Sequence, residues 1–300
     1  MSSCPLCGGA AGRLAFPYST KWNDKLFRYF DCRTCLSTFV DPLPTSSDFD
    51  ALYHRSAYHD VHYDSAEPRA DYDDALAFLA GHIAPGAKLL DFGCGNGAFM
   101  IAAHSAGYPA HGIEQGESSI ALANGNSGRP VWSLDEAIRR GQRFGVIHIG
   151  DVLEHLPRPS ETLQQLHNVL EEDGCLFVEG PLEKQRSVVR MVAGTLKSLR
   201  QMLHLDRVGT HEPFHLTMTS WRSQMHFFEQ VMAYDCLAAE CYETGWPYSS
   251  HGAGSSAGAQ LKDLIARSAV RASRTAAGRR LGLANRFRTL LKLRASAGLI

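Results

Sequence analysis

The chain of 300 residues has no long hydrophobic run, and no uninterrupted apolar stretch approaches the roughly 18 residues that a membrane span needs. Its first residues, Met1-Ser2-Ser3-Cys4-Pro5, lack the basic segment and apolar core of an export signal. The expectation is a cytoplasmic protein. Net charge is also low, at −1, which excludes a uniformly basic nucleic-acid binder or an acidic disordered chain. With 44% hydrophobic and 20% charged residues, nothing fibrous or low-complexity dominates, and one large or two small domains can bury full cores.

The small net charge hides an asymmetry. From Leu261 to Ile300 ten bases face a single acid, Asp263, a surplus of nine that leaves the rest of the chain at −10. Leu264, Ile265, Val270, Leu281, Leu283, Phe287, Leu290, Leu291 and Leu293 interleave with these bases. That pattern predicts one or two basic amphipathic helices with an anionic contact of their own. Ser249 to Gly258 is rich in Gly and Ser and reads as a flexible linker.

Cys4-Pro5-Leu6-Cys7 and Cys32-Arg33-Thr34-Cys35 form two C-x-x-C pairs with 24 residues between them. Each pair can aim two thiolates at one ion, and two pairs complete the tetrahedral sulfur shell that zinc prefers. Cys4, Cys7, Cys32 and Cys35 are the expected ligands of a structural Zn2+ in a zinc ribbon, because no position remains for water. Arg13, Lys21, Lys25 and Arg28, mixed with Phe16, Tyr18, Trp22, Phe27, Tyr29 and Phe30, leave RNA contact open as a second use of this module.

The richest segment runs from Lys88 to Ala103. An apolar strand ends in Asp91 and enters a loop with glycines at 93, 95 and 97, followed by a helical stretch. Free N–H groups at a helix N-terminus, with no side chains over them, suit a polar ligand. The loop therefore reads as a nucleotide-cofactor site, and its spacing fits NAD as well as a methyl donor. Strand patterns follow at 110–114, 131–132, 145–149 and 174–179, with helical patterns between, the clearest at 160–170 with Ser160 as its N-cap. The order predicts an α/β fold with a doubly wound parallel sheet. Glu114, at the end of the second of these strands, can take both hydroxyls of a ribose.

The glycine loop, the segment Phe144-Gly-Val-Ile-His-Ile-Gly-Asp-Val-Leu-Glu-His-Leu156 and the turn and strand Leu170 to Pro181 together resemble the class I S-adenosylmethionine-dependent methyltransferases. With the cysteine pairs, Phe39-Val-Asp-Pro-Leu-Pro44, Leu52-Tyr53 and Tyr58, residues 4 to 243 resemble a bacterial zinc-ribbon family that includes deoxysugar C-methyltransferases and glycan or secondary-metabolite methyltransferases. The resemblance implies that Asp91, Gly93, Gly95 and Gly97 hold the methionine part of the cofactor, and Glu114 the ribose. It places Ser133, Leu134 and Asp135 at the adenine edge and Asp151 beside the methyl-transfer chamber. The sugar C-methyltransferases carry a further large C-terminal domain for which this chain is expected to be too short, which puts nucleotide-sugar C-methylation in doubt; the expected activity is O-methylation of a sugar, glycan, lipid-linked glycan or related small molecule. A ribosomal RNA methyltransferase and a noncatalytic ribbon adaptor are the alternatives.

The expected organisation is a ribbon at 1–42, a tyrosine-rich connector at 43–84, and a methyltransferase core at 85–248 with a helical insertion at 183–208. A linker and a basic helical tail follow at 249–300. The insertion is basic and amphipathic, so segments 184–207 and 261–300 are candidate contacts with an anionic membrane. In Thr210 to Thr217 a histidine suits the removal of a hydroxyl proton near neutral pH. His215, then His211, is the expected base, with Glu212 to orient or tune it, and His59 and Tyr63 are placed on the opposite wall.

Overall fold

The computed structural model describes residues 3–52, 70–192, 194–195, 212–245 and 257–294. The chain forms two compact units: one from 1–42, 180–227 and 240–287, the other from 43–179, 228–239 and 288–300.

The second unit is built on a seven-stranded sheet of order β10-β11-β8-β7-β4-β5-β6. Its strands are β4 (Leu89–Phe92), β5 (Ala110–Ile113), β6 (Val131–Trp132), β7 (Phe144–Gly150), β8 (Leu170–Pro181), β10 (Tyr234–Tyr242) and β11 (Arg286–Leu293), and the unit boundaries fall within β8, β10 and β11. The β4–β5, β4–β7, β5–β6 and β7–β8 pairs are parallel, as the alternation of strands and helices requires. The turn of direction comes at the far edge. The Arg294 N–H donates to the Ala233 carbonyl and the Asn285 N–H to the Tyr242 carbonyl, a pairing that only antiparallel β10 and β11 can make.

After the short helix α1 (Ser46–Leu52), helices α2 (Ala70–Ala80) and α3 (Ala98–Ser105) seal the sheet. Leu76 and Leu79 of α2, Phe99 and Met100 of α3, Leu89, Val146, Phe177 and Leu290 share one core. Tyr108 is buried there, and its hydroxyl donates to the Ile83 carbonyl at 2.7 Å. Helices α4 (Glu117–Ser127) and α5 (Leu134–Arg139) flank β6, and α6 (Pro159–Leu166) precedes β8. In α6 it is Pro159 that opens the helix, with Ser160 inside it and the Arg158 side chain not acting as a cap. Proline is preorganised for the first helical turn and loses no needed donor there, so the expected serine cap is displaced.

In the other unit, β1 (Ala11–Trp22), β2 (Lys25–Cys32), β3 (Thr38–Asp41) and β9 (Thr217–Met218) form an antiparallel sheet in that order. The β1–β2 register breaks: Leu14 faces Phe30 and Ser19 faces Arg28, so Ala15 to Tyr18 oppose Tyr29 alone. A bulge of this size re-aims the side chains it carries. Residues 188–192 and 194–195 are helical, and residues 193 and 196–208 of the expected insertion lie outside the described residues.

The tail differs from its expected form. Helices α8 (Ala257–Ser273) and α9 (Ala276–Leu281) are present, but Arg286–Leu293 is a sheet strand, not a helix. Phe287 to Leu291 are all buried, so β11 has apolar neighbours on both faces, and such a run has no alternation to separate it from a helix in sequence. Its bases serve the fold. Arg288 pairs with Glu179 at 3.2 Å, Lys292 with Asp173 at 2.9 Å and Arg294 with Asp235 at 2.6 Å.

Candidate active site

Asp91 lies at the end of β4, 3% exposed, and the chain turns immediately through Gly93, Gly95 and Gly97. All three glycines have positive φ, at 76°, 54° and 84°. At Gly93 a Cβ would come within 2.6 Å of Val152 Cγ2, so the residue is fixed by packing as well as by conformation. Gly97 sits at the N-cap of α3 and supplies no side chain to it, while Asn96 Oδ1 takes the Ala98 N–H at 3.1 Å. Glu114, one residue past β5, accepts from the Gly95 N–H at 2.8 Å and the Gln115 N–H at 2.7 Å. Burial raises its pKa, the two backbone donors oppose that, and the carboxylate is thereby held against the glycine loop.

Beneath Asp91 runs a buried chain of charges. His148, in the middle of β7, bonds Asp91 Oδ1 through Nδ1 at 2.8 Å and Glu179 Oε1 through Nε2 at 3.3 Å, and Glu179 in turn meets Arg288. The imidazole stacks on Phe99 at 3.8 Å between centroids. Burial alone would lower the His148 pKa, but hydrogen bonds to two carboxylates and their charge prevail and push it up to about 9.

The remaining expected cofactor residues gather at strand ends of the same unit. Ser133 follows β6 and caps α5, its hydroxyl accepting from the Glu136 N–H at 3.2 Å; Leu134 and Asp135 open that helix. Asp151 follows β7 with φ of 53°, exposed, its N–H donating to the Glu179 carbonyl at 3.2 Å. These positions fit an S-adenosyl cofactor: a helix N-terminus behind three left-handed glycines that carry no side chains, with two carboxylates for amine and hydroxyl donors.

In the other unit the four N-terminal cysteines converge. Their sulfur atoms all lie within 4.8 Å of one another, with Cys7–Cys32 at 3.5 Å and Cys4–Cys35 at 3.8 Å. Tetrahedral bonds of about 2.3 Å to one ion space sulfurs at about 3.8 Å, so the set fits such a shell. Gly9 allows the approach, since a Cβ there would meet Cys32 Sγ at 2.9 Å, and the Thr34 N–H donates to Cys32 Sγ at 3.3 Å.

His215 of this unit donates from Nδ1 to Glu183 Oε1. Burial would raise the Glu183 pKa, but the His215 charge and hydrogen bond, with Arg190 nearby, bring it below the ordinary value. The carboxylate that orients His215 is therefore Glu183, and Glu212 is exposed. His211, His59 and Tyr63 lie outside the described residues. His215 and Glu183 line a cavity of about 810 Å³, together with Phe16 and Tyr18 of the β1 bulge and with Lys184 and Arg190.

Sequence reasoning missed His148, Glu179, Arg288 and Glu183. The first two carried a readable signal, a polar residue inside an otherwise apolar parallel strand, which is tolerated only when paired. Glu183 had none, because nothing in its spacing ties it to a histidine 32 residues later.

An open α/β sheet with a glycine turn and acids at its strand ends defines a nucleotide-cofactor-binding unit of the Rossmann-like class. Residues 63–228 match the family model described as a methyltransferase domain, and the chain belongs to that family. It is an S-adenosylmethionine-dependent methyltransferase. It is 29% identical over 177 residues to a ubiquinone biosynthesis O-methyltransferase of Pseudomonas syringae pv. tomato, covering 55% of this chain and 72% of that one. A protein of the same description from Pseudomonas aeruginosa is 28% identical over the same length and shares. Among solved structures, the 1,6-didemethyltoxoflavin-N1-methyltransferase of Burkholderia thailandensis, with S-adenosylhomocysteine bound, shares the fold with a TM-score of 0.51 and 13% identity, over 89% of this chain and 96% of that one.

Proposed function

We propose that this protein O-methylates a hydroxyl on a small sugar, glycan or related ring-bearing acceptor, with His215 as the base. The hydrogen-bonded pair of His215 and Glu183 on the wall of a cavity carries this reading. S-adenosylmethionine supplies a methyl group already activated by its sulfonium. The protein's task is then to align the acceptor and take its proton. Glu183 fixes the imidazole through Nδ1 and favours its protonated form, so the acceptor proton passes to His215 as oxygen gains the methyl group. Asp91 and Glu114 bind the polar ends of the cofactor, and the glycine loop, without side chains, lets it approach the backbone closely. The O-methyltransferase descriptions of the relatives support transfer to oxygen.

The four cysteines, in this reading, hold a structural zinc that keeps the β1–β2 hairpin folded where its own core is small. The bases of 184–207 and of α8 in the sequence are the proposed contacts with a membrane-bound acceptor.

The test is transfer of labelled methyl groups from S-adenosylmethionine into fractionated extract of a host lacking the gene. Label in a small-molecule or glycan fraction, released as methyl iodide by hydriodic acid, is the expected result. Label in RNA, or label that hydriodic acid does not release, overturns the proposal.

A further inference from the structure

Most of β1 pairs regularly with β2, but the bulge at Ala15 to Tyr18 turns large side chains out of the sheet. Leu14, Phe16 and Tyr18 keep 44%, 42% and 43% of their surface exposed, although each is a residue type that a small sheet would normally bury. The Phe16 and Tyr18 rings meet edge to face at 5.9 Å, and both line the cavity that holds His215 and Glu183. An aromatic wall of this kind offers a surface to a ring.

The polar lining is not balanced. Asp31 is one carboxylate shared by two cations: it accepts from Lys184 Nζ and from Arg13 Nε at 3.3 Å, with the Thr38 hydroxyl at 2.8 Å. Both cations stay open to solvent, Arg13 almost wholly, so one positive charge at the cavity mouth is in excess. Deeper in, the buried oxygen Glu183 Oε2 has no hydrogen-bond partner among the described residues, while Oε1 is held by His215. A buried carboxylate oxygen without a donor is costly, and a hydroxyl brought to it would satisfy it.

We infer that this cavity is the acceptor site and that it selects a hydroxylated ring bearing one anionic group, the ring against Phe16 and Tyr18, the anion at Lys184 and Arg13, and the reacting hydroxyl, whose one proton goes to His215, beside Glu183. The inference deepens the proposed O-methyl transfer and rests on it for the role of the hydroxyl. The shared chemistry has two sources, a carboxylated phenol and a sugar phosphate.

Saturation-transfer NMR and titration on the full-length protein, with S-adenosylhomocysteine present, separate them. The probes are 4-hydroxybenzoate against 4-hydroxybenzamide, and glucose 1-phosphate against glucose. The charged member of one pair should bind about fivefold tighter than its neutral partner, a ratio in keeping with one solvent-exposed ion pair. Lys184→Met and Arg13→Ala should remove that preference, and Tyr18→Ala should weaken both members of the pair. Arg13 is so exposed that its variant tests the charge without risk to folding. Equal binding of charged and neutral probes, binding unchanged in these variants, or no binding by any of the four probes overturns the inference. Calorimetry with S-adenosylhomocysteine on the same samples tests the methyltransferase reading separately: retained cofactor binding with failed probes sinks only the acceptor site.

Discussion

Asp91 Oδ1 and His148 Nδ1, from adjacent parallel strands, are 2.8 Å apart in the interior of the sheet. The bond places a buried cation directly behind the carboxylate that ends β4. Because its pKa rises to about 9 in the folded protein from an ordinary 6.5, His148 adds stability that is fully present below pH 6.5. That contribution is lost as pH rises through 9, and on the order of 3 kcal/mol is at stake. Denaturant titrations should show falling stability between pH 6.5 and about 9. His148→Leu should abolish this slope and cost about 3–5 kcal/mol, since Asp91 and Glu179 then lose their shared cation. An unchanged slope in the variant would remove His148 as its source.

The cofactor assignment predicts a division between carboxylates and histidine. Asp91→Ala and Glu114→Ala should eliminate S-adenosylhomocysteine binding in calorimetry, since each removes a fixed acceptor beside the glycine loop. His215→Ala should bind normally and slow transfer by about 10²-fold or more, the usual share of a general base. Wild-type affinity in both acid variants would place the cofactor elsewhere.

Glu183→Gln keeps the size of the side chain and removes its charge. If Glu183 stabilises the protonated imidazole, the variant should lower kcat and move the acidic limb of the pH–rate profile downward, because His215 then loses its proton at lower pH. The same displacement would not follow from a role in packing alone.

Metal removal should act on folding. If the four cysteines hold zinc as proposed, Cys32→Ser or prolonged chelation should remove it and lower the melting temperature by about 10 °C or more. Retention of one zinc per chain by the variant would show that the four sulfurs do not act as one ligand set.

Gly93→Ala tests the turn itself. The left-handed backbone at φ 76° and the approach of Val152 Cγ2 are separate obstacles, so adding Val152→Ala should restore part of the lost stability and not all of it. Thermal melts of the single and double variants measure both parts.

The parts of this fold that were legible in sequence are those where one physical signal acts alone. β4, the glycine turn and α3 could be read because an apolar strand, a run of positive-φ residues and a helix follow one another without ambiguity. The two cysteine pairs were legible because ligand spacing is local, and their convergence depends only on a hairpin between them. β11 was not, because a strand buried on both faces carries a short apolar run that also satisfies a helical stripe. The partner of His215 was hidden for another reason: Glu212 is near in sequence, while Glu183 is near only in space. The β1 bulge is a matter of register, and register depends on two strands at once.

The place of β11 in the sheet has a consequence for biosynthesis. It lies between β8 and β10, so a nascent chain that has not yet reached residue 286 exposes one unpaired edge on each of those strands. Open edges invite pairing with other chains, and a helix cannot cover both. The sheet therefore closes late in synthesis, by the entry of a basic, Arg- and Lys-bearing strand whose charges find Glu179, Asp173 and Asp235 already waiting. Three of the bases at this end of the chain thereby join the closing strand to acids on its two neighbours.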